Sequence, residues 1–160
     1  MARWLALSCG IVLLDQLTKF AILQNFTVSK VVEVTSYFNL VLVHNRGAAF
    51  SFLSDAAGWQ RGLFITLALV ASAWIIYLLR RYRQQKLFSL ALSLVLAGAL
   101  GNVIDRVFFG AVVDFLDFHA YGYHWPAFNV ADSAITCGAA LLIWDGFRPG
   151  KTGNDQSENT

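Results

Sequence analysis

Charge is what this chain most conspicuously lacks. Of its 160 residues 14% are Asp, Glu, Lys or Arg and 57% are hydrophobic, whereas a soluble globular domain carries about 25% charged residues. So little charge cannot cover a water-facing surface of this size, which excludes a soluble enzyme and leaves a membrane protein of one domain. The net charge is only +2, and one basic cluster (Arg80, Arg81, Arg83 and Lys86) lies between two apolar runs. That pattern excludes a nucleic-acid footprint. Cysteine is nearly absent as well. Cys9 and Cys137 fall in apolar runs, read as small buried hydrophobes, and offer neither a disulfide nor metal-ligand spacing. No His-Glu-x-x-His is present for a metalloprotease, and no serine stands in a Gly-x-Ser-x-Gly elbow. Ser8, Ser72, Ser89 and Ser93 read as helix-packing residues. Asp117, His119 and His124 match no standard metal spacing and read as solvated loop residues. No metal or other cofactor is expected.

What is present is a set of four apolar spans, at about 4–23, 62–79, 87–106 and 127–145, each near the roughly 20 residues that cross a bilayer. Residues 25–58 change character. Val28, Val31, Val32, Val34, Thr35, Tyr37, Phe38, Val41 and Val43 form β-branched and aromatic runs, ended by the turn signal His44-Asn45-Arg46-Gly47. The expected fold is an all-α membrane protein: four transmembrane helices with a small extracytoplasmic β-sheet between helices 1 and 2. Residues 1–148 form one domain, and the polar tail 149–160 reads as disordered. Arg3, the 80–86 cluster, Arg148 and Lys151 fall on one side of four spans, and the segment 110–126 contains no Lys or Arg. The positive-inside rule then places both termini in the cytoplasm and the sheet outside the inner membrane. Trp59, Tyr121, Tyr123 and Trp125 become an outer interfacial belt. The loop 110–126 reads equally as a lid or as a static anchor.

Four acids, Asp15, Asp105, Asp114 and Asp132, lie within or at the lip of these spans, where carboxylates are expensive and usually functional. Asp114 and Asp132 flank one short loop and so share a water boundary. Two carboxylates held close do not both ionise cheaply; one keeps a proton. The ionised member can activate water while the protonated one hydrogen-bonds a carbonyl, which is the logic of peptide hydrolysis without a metal or a covalent nucleophile. Asp132 falls in the first turn of the fourth helix, where the macrodipole favours an anion. Asp114 precedes Phe115 and Leu116, an apolar setting that assigns it the shared proton, although the pair titrates as a unit. Asp15 and Lys19, spaced i, i+4, read as a structural pair at the outer end of the first span. Asp105 stays a rival to Asp114 as second acid, since spacing alone does not separate them. Asp117 and Asp145 read as solvated interfacial charges, and Gly98 and Gly101 as close-packing positions.

Other classes fit parts of this pattern. A proton-coupled transporter also uses membrane carboxylates, but the chain has no internal repeat and its acids cluster at one face instead of the midplane. A non-catalytic subunit that binds lipidated precursors is a second reading. A presenilin-like protease is a third, against which stands the lack of Gly-x-Gly-Asp.

The blocks Asp15-Gln16-Leu17-Thr18-Lys19, Asn45-Arg46-Gly47-Ala48-Ala49-Phe50-Ser51-Phe52, Gly101-Asn102-Val103-Ile104-Asp105-Arg106, Val112-Val113-Asp114-Phe115 and Phe128-Asn129-Val130-Ala131-Asp132 together resemble bacterial lipoprotein signal peptidase (signal peptidase II). The likeness covers everything except the polar tail. It implies a membrane aspartyl endopeptidase that removes signal peptides from prolipoproteins, cutting on the N-terminal side of the diacylglyceryl-modified cysteine. By the same resemblance Asp114 and Asp132 are the catalytic pair. Asn102 and Arg106 contact the substrate backbone or support the site, as do Asn45 and Asn129, with Gly47, Asp105 and Ala131 of the same blocks. The implied partners are lipidated signal peptides, membrane lipid and the cyclic peptide inhibitor globomycin, bound by a monomer without nucleic acid.

Overall fold

Long apolar runs with few charges become helices because, in lipid, a helix is the one open-ended structure that satisfies all its own backbone hydrogen bonds. The computed structural model describes residues 1–47 and 58–148, and its helices are α1 (Ala2–Asn25), α2 (Trp59–Arg81), α3 (Lys86–Phe108) and α4 (Val130–Phe147). All four are long and apolar enough to cross a membrane. Their outer faces carry exposed Leu13, Leu17, Phe20, Leu67, Val70 and Trp74, apolar surface on a scale that only a lipid solvent tolerates. Cys9 and Cys137 are exposed too, which corrects their reading as buried side chains: on a lipid-facing turn a thiol has apolar surroundings without any packing partner. The tail 149–160 and residues 48–57, which include Phe50, Ser51 and Phe52, lie outside the described residues.

The central helix is α3. Of its apolar stretch 56% is buried, against 17% to 22% for the other three. It packs on α1, α2 and α4; α1 also touches α4, whereas α2 rests almost wholly on α3. Small residues set the α3–α4 approach. A Cβ added at Gly98 would overlap the Ala131 carbonyl oxygen and sit 2.6 Å from Ile135 Cγ1, and one at Gly138 would sit 2.7 Å from the Ala91 carbonyl oxygen. Ser8 Oγ joins α1 to α3 by donating to the Ser93 carbonyl at 2.9 Å, while Ser93 Oγ turns back within α3 to the Ser89 carbonyl at 2.7 Å.

The sheet is larger than its first strands suggested. Strands β1 (Val32–Thr35) and β2 (Phe38–Asn45) come from the α1–α2 connection, β3 (Val112–Ala120) and β4 (Tyr123–His124) from the α3–α4 connection, in the order β1-β2-β3-β4. All neighbours are antiparallel. The segment 110–126 is therefore a hairpin with structure of its own, not a loop. Its turn, Tyr121-Gly122, has positive φ at both residues (52° and 81°), as a type I′ hairpin turn requires. Gly110, at φ 73°, makes the left-handed step that ends α3 and starts the strand. The chain then returns to β3. Phe128 accepts at its carbonyl from Phe115 and Leu116 N–H (3.0 and 2.9 Å) and donates to the Leu116 carbonyl at 3.1 Å, so the start of α4 is registered against the strand.

Candidate active site

Three charged side chains from two helices make a buried knot beneath the sheet. Lys19 Nζ lies 2.8 Å from Asp15 Oδ2 and 2.8 Å from Asp105 Oδ2, and all three are sealed from solvent. Gln16 Nε2 adds bonds to both carboxylates, 3.1 Å to Asp15 and 3.0 Å to Asp105. A lone carboxylate at this depth would be costly; shared donors on every oxygen make the arrangement tenable. Each acid then spends one oxygen on a backbone amide of another element. Asp15 Oδ1 accepts from Ala131 N at 2.8 Å, and Asp105 Oδ2 accepts from Val113 N at 3.0 Å. Ala131 immediately precedes Asp132, and Val113 immediately precedes Asp114. One ionic knot thus holds the residue before each of the two candidate catalytic acids. The i, i+4 contact of Asp15 and Lys19 is present, but not at a helix end: α1 continues to Asn25.

Above the knot, asparagines set the two acids. Asp114, on β3 opposite Val43, is 1% exposed. Its Oδ1 accepts from Asn129 Nδ2 at 2.7 Å and its Oδ2 from Asn45 Nδ2 at 3.1 Å. Asp132, in the first turn of α4, accepts at Oδ1 from Asn102 Nδ2 at 2.7 Å. Asn129 caps α4, its Oδ1 taking the Asp132 N–H at 2.9 Å, so a single amide bridges one acid's carboxylate and the other's backbone. Lys19 Nζ also donates to Asn102 Oδ1 at 3.1 Å, which leaves the Asn102 Nδ2 end to face Asp132. Burial, then the nearby Asp132 charge, push the Asp114 carboxyl up to about 7, against the opposing pull of Asn45 and Asn129. This is the paired-carboxylate situation in which one member keeps its proton at neutral pH.

Arg106 closes the open side. Its Nη2 donates to the Gly47 carbonyl at 2.9 Å, its guanidinium lies 5.1 Å from the centre of the Phe64 ring, and its charge reaches Asp132, Asp114 and Asp105. Gly47 N–H is held in turn by Asn45 Oδ1 at 3.0 Å, an Asx turn that fixes the end of β2. Arg61, one turn before Phe64 on α2, donates from Nη2 to the Val107 carbonyl at 2.9 Å, a cation at the C-terminus of α3.

The structure therefore links Asn45, Gly47, Asn102, Arg106, Asp114, Asn129 and Asp132 in one hydrogen-bonded cluster, with Asp15, Lys19 and Asp105 joined to it through Lys19 and Asn102. Ala131 is fully buried, wedged against Gly98 and near Gly101, which gives it a packing place. Asp105 has its oxygens committed to Lys19, Gln16 and the Val113 amide and bonds neither candidate acid. Two charges are corrected. Asp117 is buried, bonded by Asn39 Nδ2 at 3.0 Å and His124 Nδ1 at 2.9 Å. Burial would raise its carboxyl, but the His124 and Asn39 bonds outweigh it and the net shift is downward. Asp145 is buried as well. Gln16, Arg61 and Phe64 escaped the sequence reading. Gln16 adjoins a recognised acid, yet nothing in the spacing of α2 marks Arg61 or Phe64.

Known proteins resemble this chain over most of its length. The family described as signal peptidase (SPase) II matches residues 7–148. The lipoprotein signal peptidase of Burkholderia vietnamiensis is 60% identical over 148 residues, 92% of this chain and 89% of that protein; its Burkholderia thailandensis counterpart is 56% identical over the same shares. A bacterial membrane enzyme solved by the in meso method at 2.3 Å resolution superposes with a TM-score of 0.84 at 30% identity, covering 100% of this chain and 95% of that one. With the motif blocks, the four membrane-length helices and the sheet all accounted for, this chain belongs to the signal peptidase II family, membrane proteases that remove signal peptides from prolipoproteins.

Proposed function

We propose that this chain cleaves prolipoproteins on the N-terminal side of the diacylglyceryl-modified cysteine, with Asp114 and Asp132 as the catalytic pair. The observation that carries the assignment is the division of labour in one asparagine-bonded cluster: a buried Asp114 that stays protonated to about pH 7 beside an Asp132 set at a helix N-terminus. Protonated Asp114 donates a hydrogen bond to the scissile carbonyl oxygen. Ionised Asp132 takes a proton from water as the water oxygen bonds to the carbonyl carbon, and the carbonyl oxygen takes the proton of Asp114, giving a geminal diol. Asp132 then gives its proton to the cysteine nitrogen as the C–N bond breaks, and one diol hydroxyl returns its proton to Asp114. Asn102, Asn129 and Asn45 hold the carboxylates. Arg106 and the neighbouring amides satisfy peptide carbonyls that would otherwise be buried unpaired.

The signal helix reaches the cluster laterally from lipid along the side where α2 rests on α3 alone, and the acyl chains stay in the bilayer. Arg3, Arg80, Arg81, Arg83 and Lys86 at one end support cytoplasmic termini and an extracytoplasmic active site in the inner membrane. A monomer is the acting unit, and globomycin occupies the same groove as substrate.

Three measurements test the reading. The cleavage rate is expected to fall as pH rises through about 7, as Asp114 loses its proton. The same shift links to stability: the folded chain holds a proton on Asp114 that the unfolded chain has released, so stability falls as pH climbs from the ordinary carboxylate range to about 7. Thermal midpoints across that range should drop for the wild type and stay flatter for Asp114→Asn; identical slopes would remove Asp114 as the proton holder. Separately, Phe64→Leu is expected to lower kcat/KM by about threefold to tenfold through loss of the ring under Arg106, with Phe64→Tyr near wild type. Equal rates for Leu and Tyr would show that the ring does not position Arg106.

A further inference from the structure

The end of the bundle opposite the two catalytic acids carries charge that the chemistry above does not use. Arg80 and Arg81 close α2, Arg83 lies in the following turn, Lys86 opens α3 and Arg3 sits in the first turn of α1; all five are exposed. One side chain draws the segments that carry Arg3 and Arg83 together. Trp4 Nε1 donates to the Arg83 carbonyl at 3.3 Å, and the Arg3 guanidinium lies 4.6 Å from the centre of the Trp4 indole. Trp4 in turn packs against the buried cluster of Ile75, Leu79, Leu92 and Leu96, so the Arg3 guanidinium and the backbone at Arg83 both rest on a core-anchored indole. The first turns of α1 and α3 both lack a side-chain cap, which leaves backbone N–H groups facing the same rim. The one acid at this end among the described residues, Asp145, is buried and presents no carboxylate to the surface.

We propose that this rim is a binding site for the phosphate headgroup of an anionic phospholipid, seated between Arg3 and Arg83 with Trp4 as its floor. A lipid fits better than a soluble anion because the site lies where four membrane-length helices end. Tyr77, Tyr82 and Trp144 are exposed near that end, the side chains that mark headgroup depth. The headgroup phosphate meets the guanidinium groups, and the acyl chains run down the apolar outer face of the helices.

The test uses the full chain, purified without a histidine tag and titrated in detergent with phosphatidylglycerol and with phosphatidylcholine, bound lipid being counted by native mass spectrometry. Each arginine near an anionic headgroup contributes about fivefold in affinity, so the wild type should favour phosphatidylglycerol by about tenfold or more. Arg3→Gln/Arg83→Gln should bring the two lipids close to parity. Trp4→Phe, which keeps the ring and removes the bond to Arg83, should lose part of the preference. Lys30→Gln, at the other end of the molecule, should leave it unchanged. Equal retention of both lipids by the wild type, or a preference that survives the double substitution, overturns the proposal. Displacement of the bound lipid by millimolar inorganic phosphate would show a general anion site and overturn the lipid assignment. Precursor cleavage does not enter the readout, so the result stands apart from the assignment of the catalytic pair.

Discussion

Replacing Asp114 or Asp132 by asparagine is expected to lower turnover of a lipidated precursor by about 10²- to 10⁴-fold, the usual contribution of a positioned acid or base, while precursor binding stays within a few-fold of wild type. The two substitutions remove different things. Asp132→Asn leaves no carboxylate to take the proton of water. Asp114→Asn leaves no acid to deliver a proton to the carbonyl oxygen, and it also puts an amide group between the Asn129 and Asn45 donors, where one of them loses an acceptor. Asp105→Asn is the control that separates the assignments, because Asp105 serves Lys19, Gln16 and the Val113 amide and neither candidate acid. It should lose stability and keep some turnover. The check is a paired assay of cleavage and of precursor binding on purified protein in liposomes. Wild-type cleavage by Asp114→Asn together with a dead Asp105→Asn would redraw the catalytic pair.

Lys19→Met is expected to be the most destabilising single substitution in the chain, by about 3–5 kcal/mol, because it strands two buried carboxylates without their cation. It removes both 2.8 Å contacts, to Asp15 and to Asp105, and the 3.1 Å bond that orients Asn102. Activity should fall with stability, since Asp15 and Asp105 hold the backbone on either side of the cluster. The two effects can be told apart. Lys19→Met combined with Asp15→Asn and Asp105→Asn removes the uncompensated charge yet keeps acceptors for the Ala131 and Val113 amides, so thermal stability should return in large part. Turnover should not, because Asn102 still lacks its orienting donor. Thermal unfolding and initial rates on the single and triple variants decide the matter; a Lys19→Met protein with wild-type midpoint would show that the knot contributes little.

Much of this architecture was legible in the residues. The spans read at about 4–23, 62–79, 87–106 and 127–145 appear as helices at 2–25, 59–81, 86–108 and 130–147, because helices in lipid announce themselves by uncharged length. Strand β3 was not legible. Val-Val-Asp-Phe-Leu-Asp-Phe-His-Ala mixes acids with apolar residues out of step with a two-residue alternation, since its first half is buried on both faces. Asp117 looked solvated because Asn39, which bonds its carboxylate, is 78 residues away. The pairing of Asp15 with Lys19 is local and could be read from spacing. The third member, Asp105, comes from α3, and no sequence period reports a contact between helices.

The bond from the Ala131 amide to Asp15 spans 116 residues, so the start of α4 is tied to the first helix of the chain. α1 enters the bilayer first with its carboxylate already matched by Lys19 one turn away, so the early chain carries no stranded charge. Asp105 arrives two helices later and shares a cation that is already in place. Asp132 comes last, on the final helix, and only its arrival supplies the second carboxylate. On the proposed assignment, a chain whose fourth helix has not yet inserted already holds the ionic knot of Asp15, Lys19 and Asp105 but lacks one of the two acids.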